Sequence, residues 1–255
     1  MTSAPLKVFI TGASSGLGAA LARHYGAQGA QLGLAGRRLE GLQDTAAGWD
    51  ARLYQADVRD ADAMQNAAHA FLHEIGTPDI VIAAAGISVG TLTEEAADAV
   101  IFRAVMDANV LGLVHTFQPF IAPMQSNGGV LCAISSVAGV RGLPGGGAYS
   151  ASKAAATNYL ESLRLELKER GIAVVTIAPG YIDTPMTQVN PYAMPFKMSA
   201  QTAAMKVAHC IKLRRAYAVI PWQMAWVARL LKWLPIPVYD AVFVKAPRKP
   251  RGLPT

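Results

Sequence analysis

Charge is scarce in this sequence, at 16% of 255 residues, and acidic charge is nearly missing from its last fifth, where Asp240 stands alone. The cations there are Lys206, Lys212, Arg214, Arg215, Arg229, Lys232, Lys245, Arg248, Lys249 and Arg251, and the formal net charge of the chain is +6. They are not interleaved on a recognisable nucleic-acid motif, so no nucleic-acid partner is expected. An anionic membrane surface or a phosphate-bearing ligand fits the excess at least as well. Cysteine is nearly absent too. Cys132 and Cys210 lack metal-ligand spacing, so no metal is expected and no disulfide is needed. No signal peptide is expected, because Leu6–Ile10 already reads as a strand, and a reducing cytoplasm is the default compartment. There is no internal repeat and no interdomain linker. What the chain does have is apolar residues, 52% of the total, enough for the core of one α/β domain.

The remaining pattern is organised around Ala148-Tyr149-Ser150-Ala151-Ser152-Lys153, which opens a helical run through Leu167. In a helix Tyr149 and Lys153 share one face, one turn apart. A phenol titrates near pH ~10 unaided, and a neighbouring ammonium is expected to pull it down toward a usable general acid/base. By itself Tyr-x-x-x-Lys is too short a motif to beat a half-buried Tyr beside a solvated Lys.

Its company matters more. Leu6–Ile10 breaks into Thr11-Gly12-Ala13-Ser14-Ser15-Gly16-Leu17-Gly18, followed by an amphipathic pattern over Ala19–Gln28. Strand, glycine turn, helix is the context in which backbone N–H groups meet a pyrophosphate. The next strand, Gln31–Ala35, ends in Gly36-Arg37-Arg38 with no acid to take the ribose hydroxyls, and Glu40 falls in the following helix. Arginine at that position pairs with a 2′-phosphate, so NADP is expected ahead of NAD, with Arg37 as contact and Arg38 as support. Two solvated arginines at a helix start are the plain alternative.

Arg52–Ala56 and Asp79–Ala84 read as strands three and four, with a helix over Ala61–Ile75 between them. Asp57 could hold an adenine amino group or cap that helix. Helical periodicity over Glu94–Gln125 is interrupted near Asn109, a functional position or a plain loop between two helices. Gly129–Ile134 is strand five, Ile172–Ala178 strand six and Tyr217–Ile220 a last strand. The alternation predicts a Rossmann-like, doubly wound parallel sheet of about seven strands flanked by helices. Residues 1–215 form the catalytic body, including an apolar lid over Tyr181–Ala200, and 216–255 extend the same domain. A surface loop with scattered apolar residues is the lid's competitor.

Taken together, Thr11-Gly12-x-x-x-Gly16-x-Gly18, Asp57, Asn109, Ser136, Tyr149-x-x-x-Lys153 and Pro179-Gly180 resemble the short-chain dehydrogenase/reductase family in order and spacing over roughly residues 5–215. One departure is Ala83-Ala84-Ala85-Gly86, where the family usually carries Asn before Ala-Gly; looser packing is expected there. The resemblance implies an NADP(H)-dependent oxidoreductase interconverting a carbonyl and a secondary alcohol on an apolar substrate. Tyr149 would be the general acid/base, Ser136 would hold the carbonyl oxygen, and Lys153 would tune Tyr149 and bind ribose. Asn109 would fix a proton-relay water. Cofactor contacts would come from Gly12, Ser14, Ser15, Gly16, Leu17, Gly18, Arg37, Arg38, Asp57, Val58, Ala85, Gly86, Tyr149, Lys153, Pro179, Gly180, Ile182 and Thr184. It also implies a homo-oligomer, a dimer or tetramer. The competing class is a non-catalytic NADP-binding regulator or scaffold, which has no use for a proton relay. A serine hydrolase is excluded, since Ser136 lacks a Gly-x-Ser-x-Gly elbow and no histidine is placed beside it.

In Trp222–Leu234 the residues Trp222, Trp226, Leu230 and Trp233 fall at helical spacing, and Val238–Val244 is apolar again. The run is too short to span a bilayer, which needs ~20 apolar residues. Two readings stand: the stripe packs on the body, a subunit partner or the cleft, or it contacts a membrane surface through 222–251.

Overall fold

The computed structural model describes residues 4–251, so residues 252–255 of the predicted extension lie outside it. The first half runs β1 (Lys7–Thr11), α1 (Gly16–Gly26), β2 (Gln31–Gly36), α2 (Leu39–Ala46), β3 (Ala51–Gln55), α3 (Ala61–Glu74) and β4 (Ile80–Ala83). Next come α4 (Asp98–Met106), a π-helical turn (Asp107–Leu111), α5 (Gly112–Met124), β5 (Gly129–Ile134), α6 (Gly147–Glu166) and β6 (Ile172–Pro179). A lid follows with β7 (Ile182–Asp183), α7 (Pro185–Gln188) and β8 (Met198–Ser199), and then α8 (Ala200–Lys212), β9 (Tyr217–Ile220), α9 (Trp222–Trp233) and α10 (Ile236–Phe243).

The main sheet has seven parallel strands in the order β3-β2-β1-β4-β5-β6-β9, as the alternation predicted. Its strands are apolar on both faces because both are covered. Val8 and Ile10 of β1 join Leu21 and Tyr25 of α1 and Val207 and Ile211 of α8 in one layer. Phe9 points the other way, into a cluster with Phe71 of α3 and Phe120 of α5, at 5.4 and 4.8 Å between ring centroids. Each such buried side chain contributes about 1.5–3 kcal/mol of burial. The strand order reverses between β1 and β4, and in sheets of this kind the crevice beyond the strand ends at the switch is where ligands sit.

Three expectations change. The interruption at Asn109 is a π turn inside a continuous Asp98–Met124 helix, not a loop, and it frees the Asn109 amide from the helical ladder. That helix is apolar enough in length and composition to cross a membrane, but Val105, Leu113, Phe117, Phe120 and Met124 are buried in the fold. The cap of α3 is Asp60, whose carboxylate accepts from Ala63 N at 3.0 Å, and not Asp57. The Ala83-Ala84-Ala85 segment is tight, not loose: a Cβ built on Gly12 would lie 2.7 Å from Ala85 Cα.

The extension folds back onto the body. Met224 and Ala228 of α9 pack with Val137, Arg141 donates to the Leu231 and Leu234 carbonyls at 3.0 Å each, and the Tyr239 hydroxyl donates to the Gly142 carbonyl. The predicted stripe is therefore not the face of α9 that packs on the body: Trp222, Trp226 and Leu230 are exposed, and Trp233 is 82% exposed.

Candidate active site

The site lies beyond the carboxyl ends of β1, β4, β5 and β6. At β1 the chain turns through Gly12 at φ +69°, and a Cβ on Gly18 would lie 2.3 Å from the Gly12 carbonyl oxygen, so the turn closes directly onto the first residues of α1. Ser15 occupies the N-cap, yet its side chain makes no capping bond and no acid stands in the first turn. The amides of Gly16, Leu17 and Gly18 thus head a helix whose positive end is unneutralised, a chemistry that fits a pyrophosphate. Gly16 meets Thr184 from the start of the lid, with 3.4 Å between its ideal Cβ and the threonine side chain. These two candidate cofactor residues, far apart in sequence, converge.

At the rim, Ser14 packs beneath the end of β2, and Arg38 Nη2 donates to the Ser14 carbonyl at 3.3 Å. Arg38 braces the turn. Arg37 is exposed and lies close enough to Asp57 to favour its carboxylate. Asp57 is engaged by Arg59 through Nε and Nη2, at 3.0 and 2.6 Å to Oδ2. Burial opposes its ionisation, but the Arg59 bonds outweigh it and hold Asp57 below the usual carboxyl value. Val58 is buried against Gly112, and its carbonyl meets His115 Nδ1 at 2.9 Å. Ile182 likewise belongs to the core. Gly180 is bonded to β9 through the Ile220 carbonyl at 2.8 Å and contacts Met224 of α9.

On the other side of the crevice stand Ser136, Tyr149 and Lys153. Ser136 follows β5, and its hydroxyl accepts from Ala138 N at 3.1 Å. Ser135 ties β5 to α6, donating to the Lys153 carbonyl at 3.1 Å and meeting the Thr157 hydroxyl at 2.7 Å. Lys153 is buried and donates to the Ile134 carbonyl at 2.8 Å, with Nζ 5.8 Å from the Tyr149 ring centroid. Gly86 closes this corner: its ideal Cβ would lie 2.9 Å from Asn109 Oδ1 and 3.6 Å from Lys153 Nζ. Asn109 is saturated by protein. It accepts from Ile87 N at 2.8 Å and donates to the Ile87 carbonyl and to Ser152 Oγ, both at 2.9 Å.

The electrostatics depart from the sequence-based expectation. Burial raises the Tyr149 phenol above its ordinary value, and the facing Ser136 hydroxyl only partly opposes this. Burial also lowers the Lys153 amine, to a pKa of about 8, so it gives up its charge before the phenol titrates. At neutral pH the pair is a protonated phenol beside an ammonium that is still charged but weakened by burial.

Sequence reasoning missed Lys249, which reaches this cleft from the tail, with Nζ 5.9 Å from the Tyr149 ring centroid. Nothing local in a Pro/basic terminus announces that it folds back. Tyr192 of the lid also lies near enough to Tyr149 for that phenol to add to the burial that raises the Tyr192 pKa.

Comparison with known proteins agrees with this architecture. The short chain dehydrogenase family matches residues 7–193, and the chain belongs to that family. An uncharacterized oxidoreductase of Myxococcus xanthus is 38% identical over 238 residues, covering 91% of this chain and 94% of that protein. One from Mycobacterium tuberculosis is 34% identical over 239 residues, with 90% and 94% covered. Among solved structures, a short chain dehydrogenase from Burkholderia cenocepacia in complex with NADP superposes with a TM-score of 0.83 at 25% identity, over 94% of this chain and 98% of that one. Actinorhodin polyketide ketoreductase with NADPH gives 0.77 at 25% identity, over 86% and 97%. The protein is an oxidoreductase of this family, with its glycine turn and its Ser-Tyr-Lys cluster on opposite walls of one crevice.

Proposed function

We propose that the protein is an NADP(H)-dependent reductase of ketones or aldehydes on apolar substrates, with Tyr149 as the proton donor. The observation that carries this reading is the half-buried Tyr149, its phenol pKa raised, beside Ser136 and the buried Lys153 in a chain that also carries the uncapped start of α1. A nicotinamide cofactor held beside Tyr149 and Lys153 would supply hydride chemistry at the carbonyl carbon. Ser136 donates a hydrogen bond to the carbonyl oxygen and orients it. Tyr149 passes its proton to that oxygen as negative charge develops there. Lys153 stabilises the nascent phenolate and binds ribose hydroxyls. Asn109 fixes the wall that carries Lys153, through Ile87 and Ser152. Tyr181 and Tyr192 of the lid, 6.4 Å apart edge to face, add an apolar cover. A raised phenol pKa keeps Tyr149 protonated at neutral pH, the state that reduction requires. The test is NADPH and NADH oxidation over a panel of ketones and aldehydes; no turnover with any carbonyl sinks the reading.

Preference for NADP rests on Arg37 and on the lack of an acid beyond β2, and it is supported by the NADP and NADPH in the structural neighbours. Arg37→Ser is expected to weaken NADPH about 10- to 100-fold, while NADH moves less than about threefold. Equal losses for the two cofactors would show that Arg37 does not read a 2′-phosphate.

The exposed face of α9 supports attachment to an anionic bilayer from the cytoplasmic side. Trp222, Trp226, Leu230 and Trp233 face outward beside Arg229 and Lys232, and the last fifth has one acid against ten cations. Aromatic side chains at about 25 cal/mol per Å² with flanking cations suit the interface. Flotation with vesicles containing phosphatidylserine is expected to carry the full chain up. Trp222→Ala, Trp226→Ala and Trp233→Ala combined should lower bound protein about tenfold or more. Equal flotation removes the lipid reading, and a concentration-dependent dimer lost in the triple variant assigns the face to a second copy.

A further inference from the structure

The tail beyond α10 runs back across the cleft and is pinned at its end. Gly90 N donates to the Pro250 carbonyl at 2.9 Å, and Arg251 bonds the Asp98 carboxylate at 2.9 and 3.2 Å and pairs with Glu95 at 3.2 Å. A Cβ on Gly90 would lie 2.2 Å from the Lys249 carbonyl oxygen, so the two backbones touch. Arg248 lies against Gly145 in the loop that leads to Tyr149. Between these anchors Lys249 points inward. Its Nζ donates to Ser88 Oγ at 2.8 Å and reaches the Met186 carbonyl of α7 at 3.5 Å.

Among the described residues no carboxylate lies within ion-pair reach of this ammonium. Taking an ammonium out of water without a counter-charge is costly, and burial holds this one down at about 8. Its position is nevertheless fixed from three sides: the Ser88 loop, the lid, and the Arg251 clamp. An exposed lysine tip needs no such scaffolding. The proton relay has no use for a second amine, yet Lys249 and Lys153 stand almost equally far from the Tyr149 ring, at 5.9 and 5.8 Å. Lys249 also lies beyond the residues 7–193 matched by the family.

We propose that Lys249, with Ser88, binds a carboxylate carried by the substrate a few atoms from the reacting carbonyl, making this enzyme selective for oxo-acids. The proposal rests on the carbonyl-reductase reading above. Ser88 receives the Lys249 hydrogen bond on its acceptor side, so the hydroxyl proton is left to donate. One ammonium and one hydroxyl offer one donor to each of the two oxygens of a carboxylate. The incoming charge replaces the missing counter-ion, and the clamp means that little ordering is lost on binding.

The test reads binding and turnover separately. Oxo-carboxylates of graded chain length and their methyl esters are titrated calorimetrically into the full-length protein with NADP⁺ present. The wild type should bind at least one acid about 10- to 100-fold more tightly than its ester, as expected for hydrogen bonds to a charged group. Lys249→Met should erase that preference and Lys249→Arg should keep most of it. In turnover, the acid-over-ester ratio of kcat/KM should fall by a similar factor in Lys249→Met, mainly through KM. A wild type that binds acid and ester alike, or a Met variant that keeps the preference, overturns the proposal. Tyr149→Phe separates the two readings: it should keep the acid preference in binding while losing turnover. Acid-selective binding without any Tyr149-dependent turnover would sink the reductase reading and leave Lys249 as an anion site.

Discussion

Tyr149→Phe is expected to lower NADPH-dependent carbonyl reduction about 10²–10⁴-fold while NADPH affinity stays within about threefold. The substitution removes one oxygen and leaves a ring of the same shape in a half-buried position, so α6 and the wall formed by Ile134 and Ser135 have no reason to move. The loss should therefore fall in kcat. The pH profile follows from the burial of both groups. Reduction consumes a proton, so the donor must be protonated, and a phenol raised above its ordinary value meets that condition throughout the neutral range. Lys153, at about 8, is the first of the two to change charge as pH rises. Reduction should thus be level below about pH 8 and decline above it, as the cation that stabilises the nascent phenolate is lost. Lys153→Met should flatten that limb at a lower rate. A Phe variant that retains wild-type kcat would show that the proton comes from elsewhere.

The sheet was legible because its signals are local. Short apolar runs ending in glycine turns or polar residues mark strands covered on both faces, and Gly129–Ile134 and Tyr217–Ile220 match to the residue. The corner holding Tyr149 and Lys153 was legible for the same reason: two residues one helical turn apart need no tertiary information to share a face. Environment was not legible. Spacing alone suggested that the ammonium tunes the phenol. Desolvation, which depends on what covers the pair, reverses the expected sign for Tyr149 and weakens Lys153 as a cation. Asn109 stands in the sequence between a functional position and a loop, because an unfavourable mid-helix residue also reads as a break, whereas a π turn accommodates it without ending the helix. Asp57 reads in the sequence as either an adenine contact or a helix cap, and the cap falls instead to Asp60, while Arg59 claims the Asp57 carboxylate. The tail was hardest. A Trp stripe at helical spacing commonly means core, yet α9 buries Met224 and Ala228, the small or flexible residues between the tryptophans, and that choice depends on the shape of the Val137 surface beneath.

Gly12→Ala should be among the most damaging single-methyl changes in the cofactor wall, costing about 2–4 kcal/mol of stability and removing measurable NADPH binding. Two penalties coincide there. The residue sits at φ +69°, which costs a non-glycine residue roughly 1–2 kcal/mol, and its Cβ would lie 2.7 Å from both the N and the Cα of Ala85. Those are backbone atoms at the end of β4, held by the sheet on one side and by the Asn109–Ile87 bonds on the other, so they cannot step aside as a flexible side chain would. Relief has to come from opening the turn, which would move the amides at the head of α1. Gly29 provides the control. It has φ +79° but nothing within 4 Å of an added Cβ, so Gly29→Ala incurs the backbone penalty alone, roughly 1–2 kcal/mol, with NADPH binding intact. Thermal melts of both variants with and without NADPH read the difference: Gly29→Ala should still be stabilised by the cofactor, while Gly12→Ala should melt lower and gain nothing. A Gly12→Ala protein with a normal cofactor-dependent shift would mean that the close approach of the glycine turn to β4 does not shape the nucleotide site.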